Sequence, residues 1–358
     1  MAVKSVVVMA GGTGGHVFPA LAVAHQLESH GVRIHWLGTA AGIEADVVPK
    51  NRLPITFLDV SGVRGQGIGR LLRAPFKVMA ATLAAMRVMR AVEADCVIGL
   101  GGYVTGPGGL AARLLGKPLI IHEQNAIAGF TNRMLSRLAT QVLQAFPGAF
   151  PADPKVATTG NPVRADICAV PAPEERFAGR SGPLRVLVLG GSQGAVALNA
   201  LLPKALAQLS PDMRPELRHQ TGRKSVESTQ ANYEAVGVTA EVVPFIDDMA
   251  AAYAWADLVI CRSGALTVSE LAAVGAASIL VPYPFAVDDH QTANARYLSE
   301  AGAACLCPQK ILTPEVLAAE LRAVWNRDTL LNMAVKARQQ AKPEATATVA
   351  AFCLQPRA

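Results

Sequence analysis

The sequence has 358 residues, of which 51% are hydrophobic and 17% are charged, and its formal net charge is +6. This composition excludes a disordered chain and is typical of an α/β protein long enough to form two hydrophobic cores. The 6 cysteines lack the spacing of a zinc site, and the apolar stretch Val78–Met86 is too short to cross a bilayer, so we expect reduced thiols in a cytosolic protein.

The positive charge is concentrated in the first half of the chain. Residues 1–160 contain 15 lysines and arginines against 8 acidic residues, whereas the remaining residues contain 18 against 19. A uniformly basic protein would suggest a nucleic-acid partner. The one-sided distribution instead indicates that one domain faces an anionic partner, such as a membrane surface or an acidic substrate.

The first half alternates strand-like and helix-like segments. An apolar run at Ser5–Met9 enters the glycine-rich stretch AGGTGGH, and a helix is predicted over Pro19–His30. The further strands predicted in this half are Arg33–Leu37, Ile55–Leu58, Cys96–Gly99, Leu119–His122, Gln141–Gln144 and Val156–Thr158. Strands separated by helices of crossover length favour a parallel, doubly wound sheet.

The same plan restarts after a Pro-rich stretch at 171–183. The segment LRVLVLGGSQGA is again an apolar strand followed by a glycine-rich loop. The later predicted strands are Leu217–Gln220, Glu241–Val243, Leu258–Cys261, Ser278–Val281 and Ala304–Leu306. We therefore predict an α/β fold with two Rossmann-like, doubly wound parallel-sheet domains facing across a cleft, over residues 1–163 and 164–342. A helical segment over 343–358 is expected to return toward the first domain.

The glycine-rich loop after the first strand fits neither of the two common phosphate-binding motifs. A dinucleotide G-x-G-x-x-G would need a glycine at Val17, and no Gly-Lys-Ser/Thr follows as in a P-loop. Neither half has the acidic residue that binds the ribose of NAD after the second strand, which disfavours a dehydrogenase. The loop instead presents His16 at the head of a helix, where an imidazole can accept a proton near neutral pH.

Two loops of the second half have features of a nucleotide-diphosphate site. The 190–195 loop and the helix start at Ser263–Ala265 each place backbone amides where phosphate binds, although the first is also consistent with a tight turn that needs glycine. Glu270 can accept hydrogen bonds from a ribose diol, or it can simply offset the helix dipole. The adjacent acids and histidine at 288–290 point in different directions, and the chain has no Asp-x-Asp pair, so no metal site is expected.

Seven motifs occur in order across nearly the whole chain: GGTGGHVFPALA, GGYVTGPGGLAA, HEQNAIAG, GNPVR, GGSQGA, SGALTVSEL and HQTANA. In this arrangement the chain resembles the bacterial glycosyltransferases that add N-acetylglucosamine to undecaprenyl-diphospho-N-acetylmuramyl-pentapeptide. The resemblance implies a two-domain glycosyltransferase-B fold, UDP-N-acetylglucosamine as the donor and the 4-hydroxyl of the lipid-linked muramyl-pentapeptide as the acceptor. It also implies inversion at the anomeric carbon, no cofactor and no essential metal.

The resemblance also implies roles for individual residues. It makes His16 the first candidate for the general base and Glu123 its rival. The residues implied for donor binding are Thr13, Gly14, Gly15, Asn125, Arg164, Ser192, Phe245, Ile246, Ala265, Leu266, Thr267, Val268, Ser269, Glu270 and Gln291. Among them, Glu270 would bind the ribose, Phe245 would address the uracil, and Gln291 would meet the sugar hydroxyls.

The stretch GRLLRAPFKVMAATLAAMRVMRAVE is basic and apolar at helical spacing. Its residues Arg70, Arg73 and Lys77 flank an apolar arc that includes Phe76. Most such helices pack in a core, but this pattern also suits an anionic membrane, at about 1 kcal/mol per basic residue near the surface. Because the implied acceptor is lipid-linked, we expect a peripheral protein at the cytoplasmic face of the bacterial inner membrane, with cell-wall synthesis proteins among its candidate partners.

Two other kinds of function stay open at this point. Another enzyme acting on UDP-sugars, such as a glycolipid glycosyltransferase or a UDP-N-acetylglucosamine epimerase, would share the fold, but an epimerase would form no disaccharide. A nucleotide-sugar-binding or regulatory module would keep the second-half loops without needing His16 or the HEQN stretch. The presence of both favours the transferase.

Overall fold

The structure, a computed structural model, describes residues 2–60, 68–190 and 195–356, except for the side chains of 68–74 and of 287. The chain divides into two compact units. The first runs to Arg164 and includes the segment from Pro343 onward, and the second covers Ala165–Lys342. The division lies one residue from the predicted domain boundary, because Arg164 groups with the first unit.

The first unit is built on a seven-stranded parallel sheet. Its strands are β1 (Ser5–Ala10), β2 (Arg33–Gly38), β3 (Ile55–Phe57), β4 (Cys96–Gly101), β5 (Leu119–Glu123), β6 (Gln141–Gln144) and β7 (Val156–Thr158). Its helices up to this point of the chain are α1 (Gly14–Ser29), α2 (Glu44–Lys50), α3 (Ile68–Ala91), α4 (Thr105–Leu114) and α5 (Phe130–Leu135). The strand order is β3-β2-β1-β4-β5-β6-β7.

The second unit is built on a six-stranded parallel sheet with the order β10-β9-β8-β11-β12-β13. Its strands are β8 (Arg185–Leu189), β9 (Glu216–Gln220), β10 (Glu241–Val243), β11 (Leu258–Cys261), β12 (Ser278–Leu280) and β13 (Ala304–Leu306). Its helices are α6 (Ala165–Cys168), α7 (Pro173–Phe177), α8 (Val196–Leu206), α9 (Val226–Glu234), α10 (Met249–Trp255), α11 (Ala265–Val274), α12 (His290–Ser299), α13 (Pro314–Val324) and α14 (Arg327–Gln339). The predicted pair of Rossmann-like parallel-sheet domains is therefore confirmed.

The last helix, α15 (Ala345–Leu354), belongs to the first unit and packs against α1. Its buried residues Val349, Ala350 and Cys353 join the hydrophobic core that lies between α1 and one face of the sheet. The central strand β1 is buried on both faces, since Val6 and Val8 contribute to this core while the intervening residues contribute to the core on the other side. This double burial explains why the strand is a continuous apolar run without alternation.

Helix α1 begins five residues earlier than the sequence predicts. The pattern places its first turn at Pro19, but the helix starts at Gly14 and Pro19 lies inside it. The first turn forms because the Thr13 carbonyl oxygen accepts hydrogen bonds from the amides of His16 and Val17, at 3.1 Å each. Glycine has a low helix propensity, so Gly14 and Gly15 predict a loop, and the sequence pattern does not indicate this first turn.

Candidate functional site

Both sheets reverse their strand order at one point, between β1 and β4 in the first unit and between β8 and β11 in the second. Ligands of doubly wound proteins bind beyond the carboxyl ends of the strands at such a reversal. The loops after β1 and β4 and the loop after β11 therefore form the candidate site regions of the two units. The loop after β8, which contains the predicted donor ligand Ser192, lies outside the described residues.

His16 lies in the first turn of α1, beside the reversal point of the first sheet. Its Nδ1 is 3.3 Å from the carbonyl oxygen of Gly11. A carbonyl oxygen can only accept a hydrogen bond, so this contact requires the proton of the neutral ring to be on Nδ1. The lone pair is then on Nε2, which is the arrangement a general base needs.

A glycine corner after β4 determines where the His16 ring can lie. A register shift between β1 and β4 brings Gly101 level with Ala10. Gly101 has a φ of +113°, and a Cβ built on it would lie 2.5 Å from Cδ2 of His16. A Cβ on the next residue, Gly102, would lie 2.5 Å from the carbonyl oxygen of Gly11. The absence of both side chains lets the corner pack directly on the peptide and the ring.

Glu44 lies beneath the same loop, and sequence reasoning did not single it out. Its side chain is fully buried, and its Oε2 accepts a hydrogen bond from the amide of Gly12 at 2.9 Å. Its Oε1 accepts from the amide and the hydroxyl of Thr39, at 2.9 and 2.7 Å. A carboxylate within a short stretch of glycines, GTAAGIEA, was the signal that could have revealed it.

Glu123, the rival candidate for the base, is buried and holds the loop after β5. Its Oε1 accepts from the amide and the side-chain Nδ2 of Asn125, both at 3.0 Å. Its Oε2 accepts from the amide of Gly129 at 3.1 Å and from Nδ2 of Asn132 at 2.9 Å. A carboxylate that receives 4 hydrogen bonds, from the loop after β5 and from Asn132 of α5, acts as a structural anchor, and it positions Asn125.

In the second unit, the starts of α11 and α12 are joined by hydrogen bonds. The Ser263 hydroxyl donates to the carbonyl oxygen of Gln291 at 2.8 Å, and Asn294 Nδ2 donates to the carbonyl oxygen of Ser263 at 3.2 Å. The side-chain Oε1 of Gln291 accepts from the amide of Tyr283 at 2.8 Å. The structure therefore brings the backbone of Gln291 together with the segment that leads into α11 at Ala265, and the roles of both residues toward the donor sugar stay predictions.

The predicted donor residues of α11 do not all face the same way. Leu266 and Thr267 are half-buried in the first turn. Val268 is fully buried, and its amide donates to the carbonyl oxygen of Gly264 at 2.9 Å, so it packs into the core. The Ser269 hydroxyl donates to the carbonyl oxygen of Ala265 at 2.9 Å, which turns it back onto the helix. Within this stretch Leu266, Thr267, Ser269 and Glu270 are half-buried, whereas Ala265 and Val268 are buried.

Glu270 is half-buried and is oriented by a neighbouring helix. The hydroxyl of Tyr253, a fully buried side chain of α10, donates to Glu270 Oε2 at 3.0 Å. Burial, together with the negative charge of Glu270, raises the pKa of the Cys261 thiol to about 12. Cys261 is therefore a neutral packing residue at the reversal point and no thiolate nucleophile.

Arg176 closes the opposite end of α11. This buried arginine donates to the carbonyl oxygens of Val274 and Gly275, at 2.8 and 2.5 Å, and to that of Tyr253 at 3.1 Å. Burial lowers the pKa of Arg176 to about 10, which still leaves it charged at neutral pH. The guanidinium thus satisfies the last carbonyls of the helix and complements the negative end of its dipole.

The remaining predicted donor residues lie on loops or at the start of α1. Phe245 and Ile246 follow β10, and Phe245 is 57% exposed. Arg164 is half-buried at the end of the first unit. Thr13 is exposed at the N-cap of α1, and Gly14 and Gly15 form its first turn.

Helix α3 presents an apolar arc to solvent. Phe76, Met79 and Leu83 are 69%, 56% and 47% exposed, whereas the face that includes Ala85 and Met89 is fully buried in the core. Lys77 lies next to this arc and is exposed. Arg70 and Arg73 lie in the first turns of the helix, but their side chains are outside the described residues. Of the helices the structure describes, none is both long enough and apolar enough to cross a membrane.

No group of three or more histidine, cysteine or acidic side chains is placed to hold a metal ion within the described ranges 2–60, 68–190 and 195–356.

The buried histidines His219 and His122 stabilise the fold. His219, on β9, is 2.8 Å from the Tyr233 hydroxyl and 3.1 Å from Asn199 Oδ1, and burial lowers its pKa to about 3. His122 is fully buried, and burial likewise lowers its pKa.

Family models match both units. The glycosyltransferase family 28 N-terminal domain matches residues 6–144, and the glycosyltransferase family 28 C-terminal domain matches residues 185–349. The two matches include the loop that carries His16 and the helix that carries Glu270.

Individual proteins match over nearly the whole chain. The UDP-N-acetylglucosamine–N-acetylmuramyl-(pentapeptide) pyrophosphoryl-undecaprenol N-acetylglucosamine transferase of Marinobacter nauticus is 55% identical over 348 residues, covering 97% of this chain and 96% of the relative. The enzyme of the same name from Burkholderia lata is 53% identical, with coverage of 98% and 95%. The crystal structure of Acinetobacter baumannii MurG is 50% identical, covers 98% of this chain and 99% of its own, and superposes with a TM-score of 0.87.

Proposed function

The chain belongs to glycosyltransferase family 28, and from this membership and its near full-length similarity to peptidoglycan-precursor transferases we infer its activity. It transfers N-acetylglucosamine from UDP-N-acetylglucosamine to the undecaprenyl-diphosphate-linked N-acetylmuramyl-pentapeptide, the lipid intermediate of peptidoglycan synthesis. The observation that carries the mechanism is the contact between His16 Nδ1 and the Gly11 carbonyl, because it leaves a proton acceptor at the sheet reversal.

We propose a single displacement with His16 as the general base. The 4-hydroxyl oxygen of the muramyl sugar bonds to the anomeric carbon as the bond from that carbon to the diphosphate oxygen breaks. The hydroxyl proton passes to Nε2 of His16, and the electron pair leaves with UDP. One displacement inverts the anomeric centre. Glu123 is less suited to this step, because its carboxylate already receives 4 hydrogen bonds from the loop after β5 and from α5.

We propose that the second unit binds the donor through α11 and its neighbours. The amides of the first turn give this end of the helix a partial positive charge, which suits the diphosphate and the charge that develops on departing UDP. The carboxylate of Glu270, oriented by Tyr253, suits the ribose diol. Gln291, fixed through its Oε1, would turn its side-chain amide toward the sugar hydroxyls. Preorganised donors of this kind are worth about 3–4 kcal/mol each to a transition state.

We propose that the exposed arc on α3 docks the protein on an anionic membrane. The arc formed by Phe76, Met79 and Leu83 faces away from the core, which removes the packing explanation for its apolar pattern. The adjacent lysine and the positive charge of this half of the chain supply the attraction to anionic lipid. Docking of this kind would bring the protein to its lipid-linked acceptor.

The activity is tested with UDP-N-acetylglucosamine and a short-chain analogue of the lipid-linked muramyl-pentapeptide, following UDP release and the disaccharide product. We expect release that depends on the acceptor and persists in EDTA. His16→Ala should lower kcat by about 10²–10⁴-fold, the usual contribution of a positioned base, with little change in the KM for the donor. His25→Ala is the matched control, because His25 lies on the same helix and is exposed.

The same assay separates the alternatives. UDP release without acceptor, or a product that is only an epimerised sugar, would contradict the transferase. Full activity of His16→Ala would overturn the assigned base and leave the transferase standing.

Membrane docking is tested by sedimentation with vesicles of phosphatidylglycerol and phosphatidylethanolamine. Phe76→Ser should weaken binding at least about tenfold, since inserting one aromatic side chain is worth roughly 1.5–3 kcal/mol and 1.4 kcal/mol corresponds to a factor of about ten. Ile311→Ser is the control, because Ile311 is 67% exposed but lies in the second unit. Equal binding of both variants and the unmodified protein would contradict the proposal.

A further inference from the structure

Glu44 and His16 contact opposite ends of one peptide group. The peptide between Gly11 and Gly12 contributes its N–H to Glu44 Oε2, at 2.9 Å, and its carbonyl oxygen to His16 Nδ1, at 3.3 Å. A carboxylate therefore acts on the imidazole through a single rigid, polarisable group. Hydrogen bonds arranged in such a chain strengthen one another.

The site around Glu44 is built to hold this carboxylate. Among the described residues, its carboxylate oxygens accept hydrogen bonds from the amide of Gly12 and from the amide and hydroxyl of Thr39, and an ionised carboxylate can only accept. Three glycines leave the room that it fills. A Cβ on Gly38 would lie 2.8 Å from Glu44 Cγ, and side chains on Gly11 or Gly42 would overlap its carboxylate.

The position of His16 at the start of α1 disfavours a positive charge on its ring, and a nearby buried carboxylate would offset this effect. His16 is the third residue of α1, and the positive end of a helix dipole opposes the charge that a base acquires when it takes a proton. No acidic residue occupies the first turn of α1. The carboxylate of Glu44 is buried on the other side of the Gly11–Gly12 peptide, so its charge is poorly screened by water and offsets the dipole.

We propose that Glu44 is a positioning residue for the base: it fixes and polarises the Gly11–Gly12 peptide so that His16 keeps its proton on Nδ1 and its lone pair on Nε2. The inference rests on the proposed role of His16 in glycosyl transfer. Glu44 itself touches no substrate in this scheme.

The first measurement needs no variant. In protein labelled with ¹⁵N-histidine, the His16 signals, assigned by their loss in His16→Gln, should report a neutral ring protonated on Nδ1. A ring protonated on Nε2 would overturn the proposal directly, whatever the activity measurements give.

The second measurement compares charge removal at two places. Glu44→Gln keeps the shape of the side chain but loses its charge and one of its two acceptor oxygens. We expect kcat to fall about tenfold, the KM for UDP-N-acetylglucosamine to stay within about twofold, and the His16 signals to move toward mixed tautomers. The matched control is Asp95→Asn, since Asp95 accepts from the amides of Lys4 and Ser5 near the opposite end of β1.

A further control separates charge from packing. Thr39→Val removes a hydrogen bond to Glu44 but leaves its charge, so its kcat should stay near that of the unmodified protein. Glu44→Gln with unchanged kcat and unchanged His16 signals would overturn the proposal. If His16→Ala proves fully active while Glu44→Gln still alters the His16 tautomer, the base assignment fails but the coupling between Glu44 and His16 stands.

Discussion

Tyr253→Phe removes one hydroxyl and tests whether the orientation of Glu270 governs donor binding. The lost interaction is the 3.0 Å hydrogen bond from a fully buried phenol to Glu270 Oε2. Hydrogen bonds to charged groups are worth about 1.5–3 kcal/mol, and water can reach half-buried Glu270 and restore part of that. We therefore expect a loss of about 1–2 kcal/mol, which corresponds to a rise of roughly 5- to 30-fold in the KM for UDP-N-acetylglucosamine.

The assay is UDP release at a fixed concentration of acceptor analogue, with the donor varied. Because the ribose is remote from the reacting bond, its binding is the same in the ground and transition states, and kcat should change little. Tyr297→Phe is the control, since the Tyr297 hydroxyl donates to the Gln340 carbonyl oxygen at 2.7 Å in the same unit. If both variants lose similar stability and neither changes the KM, the assigned role of Glu270 is refuted.

Three further predictions concern the glycine corner beside His16, the buried His219 and the end of α11. Gly101→Ala would place a Cβ 2.5 Å from the His16 ring in a backbone conformation with φ +113°, so we expect kcat to fall at least about tenfold, with about 1–3 kcal/mol of stability lost. Calorimetry should show unchanged UDP affinity, and an unchanged kcat would contradict the packing argument. Stability should fall between pH 7 and pH 5, because an unfolded histidine takes up a proton below its usual pKa of 6.5, whereas the folded His219 does so only near 3. This difference is worth about 2 kcal/mol at pH 5, and urea unfolding of His219→Gln should show a flatter pH dependence than the unmodified protein. Arg176→Lys should cost about 3 kcal/mol in the same unfolding assay, because a single ammonium cannot satisfy the carbonyls at the end of α11, and a loss under about 1 kcal/mol would exclude this capping role.

The sheets could be predicted from the sequence because buried parallel strands are continuous apolar runs. Leu258–Cys261 and Gln141–Gln144 are found with the predicted bounds, although the second begins and ends with glutamine. The first helix was misplaced because Gly14 and Gly15 have poor helix propensity, and what closes the turn is the Thr13 carbonyl, a backbone group with no sequence signature.

The support of the candidate site was harder to predict than its members. His16 stands out as a polar residue after a glycine-rich loop. Glu44 does not, because it is separated from Gly12 by 32 positions and its carboxylate contacts only the backbone amide of Gly12. Gly101 gives the same difficulty, since its role is to leave space for a ring on another segment. The contacts of Glu44 with Gly12 and of Gly101 with His16 depend on which loops the strand order brings together. Neither composition nor motif spacing predicts the strand order.

Because helix α15 is the last helix of the chain but belongs to the first unit, the core of the first unit can be completed only after the second unit has been synthesised. Residues 343–354 leave the ribosome only after every residue of the second unit, yet Val349, Ala350 and Cys353 complete the core against α1. Once the chain has emerged from the ribosome as far as Lys342, the second unit, where we propose that the donor binds, can fold while the helix that carries His16 is still uncovered on one side. If the donor binds to the second unit as proposed, a chain cut short at this point would bind UDP-N-acetylglucosamine without transferring its sugar.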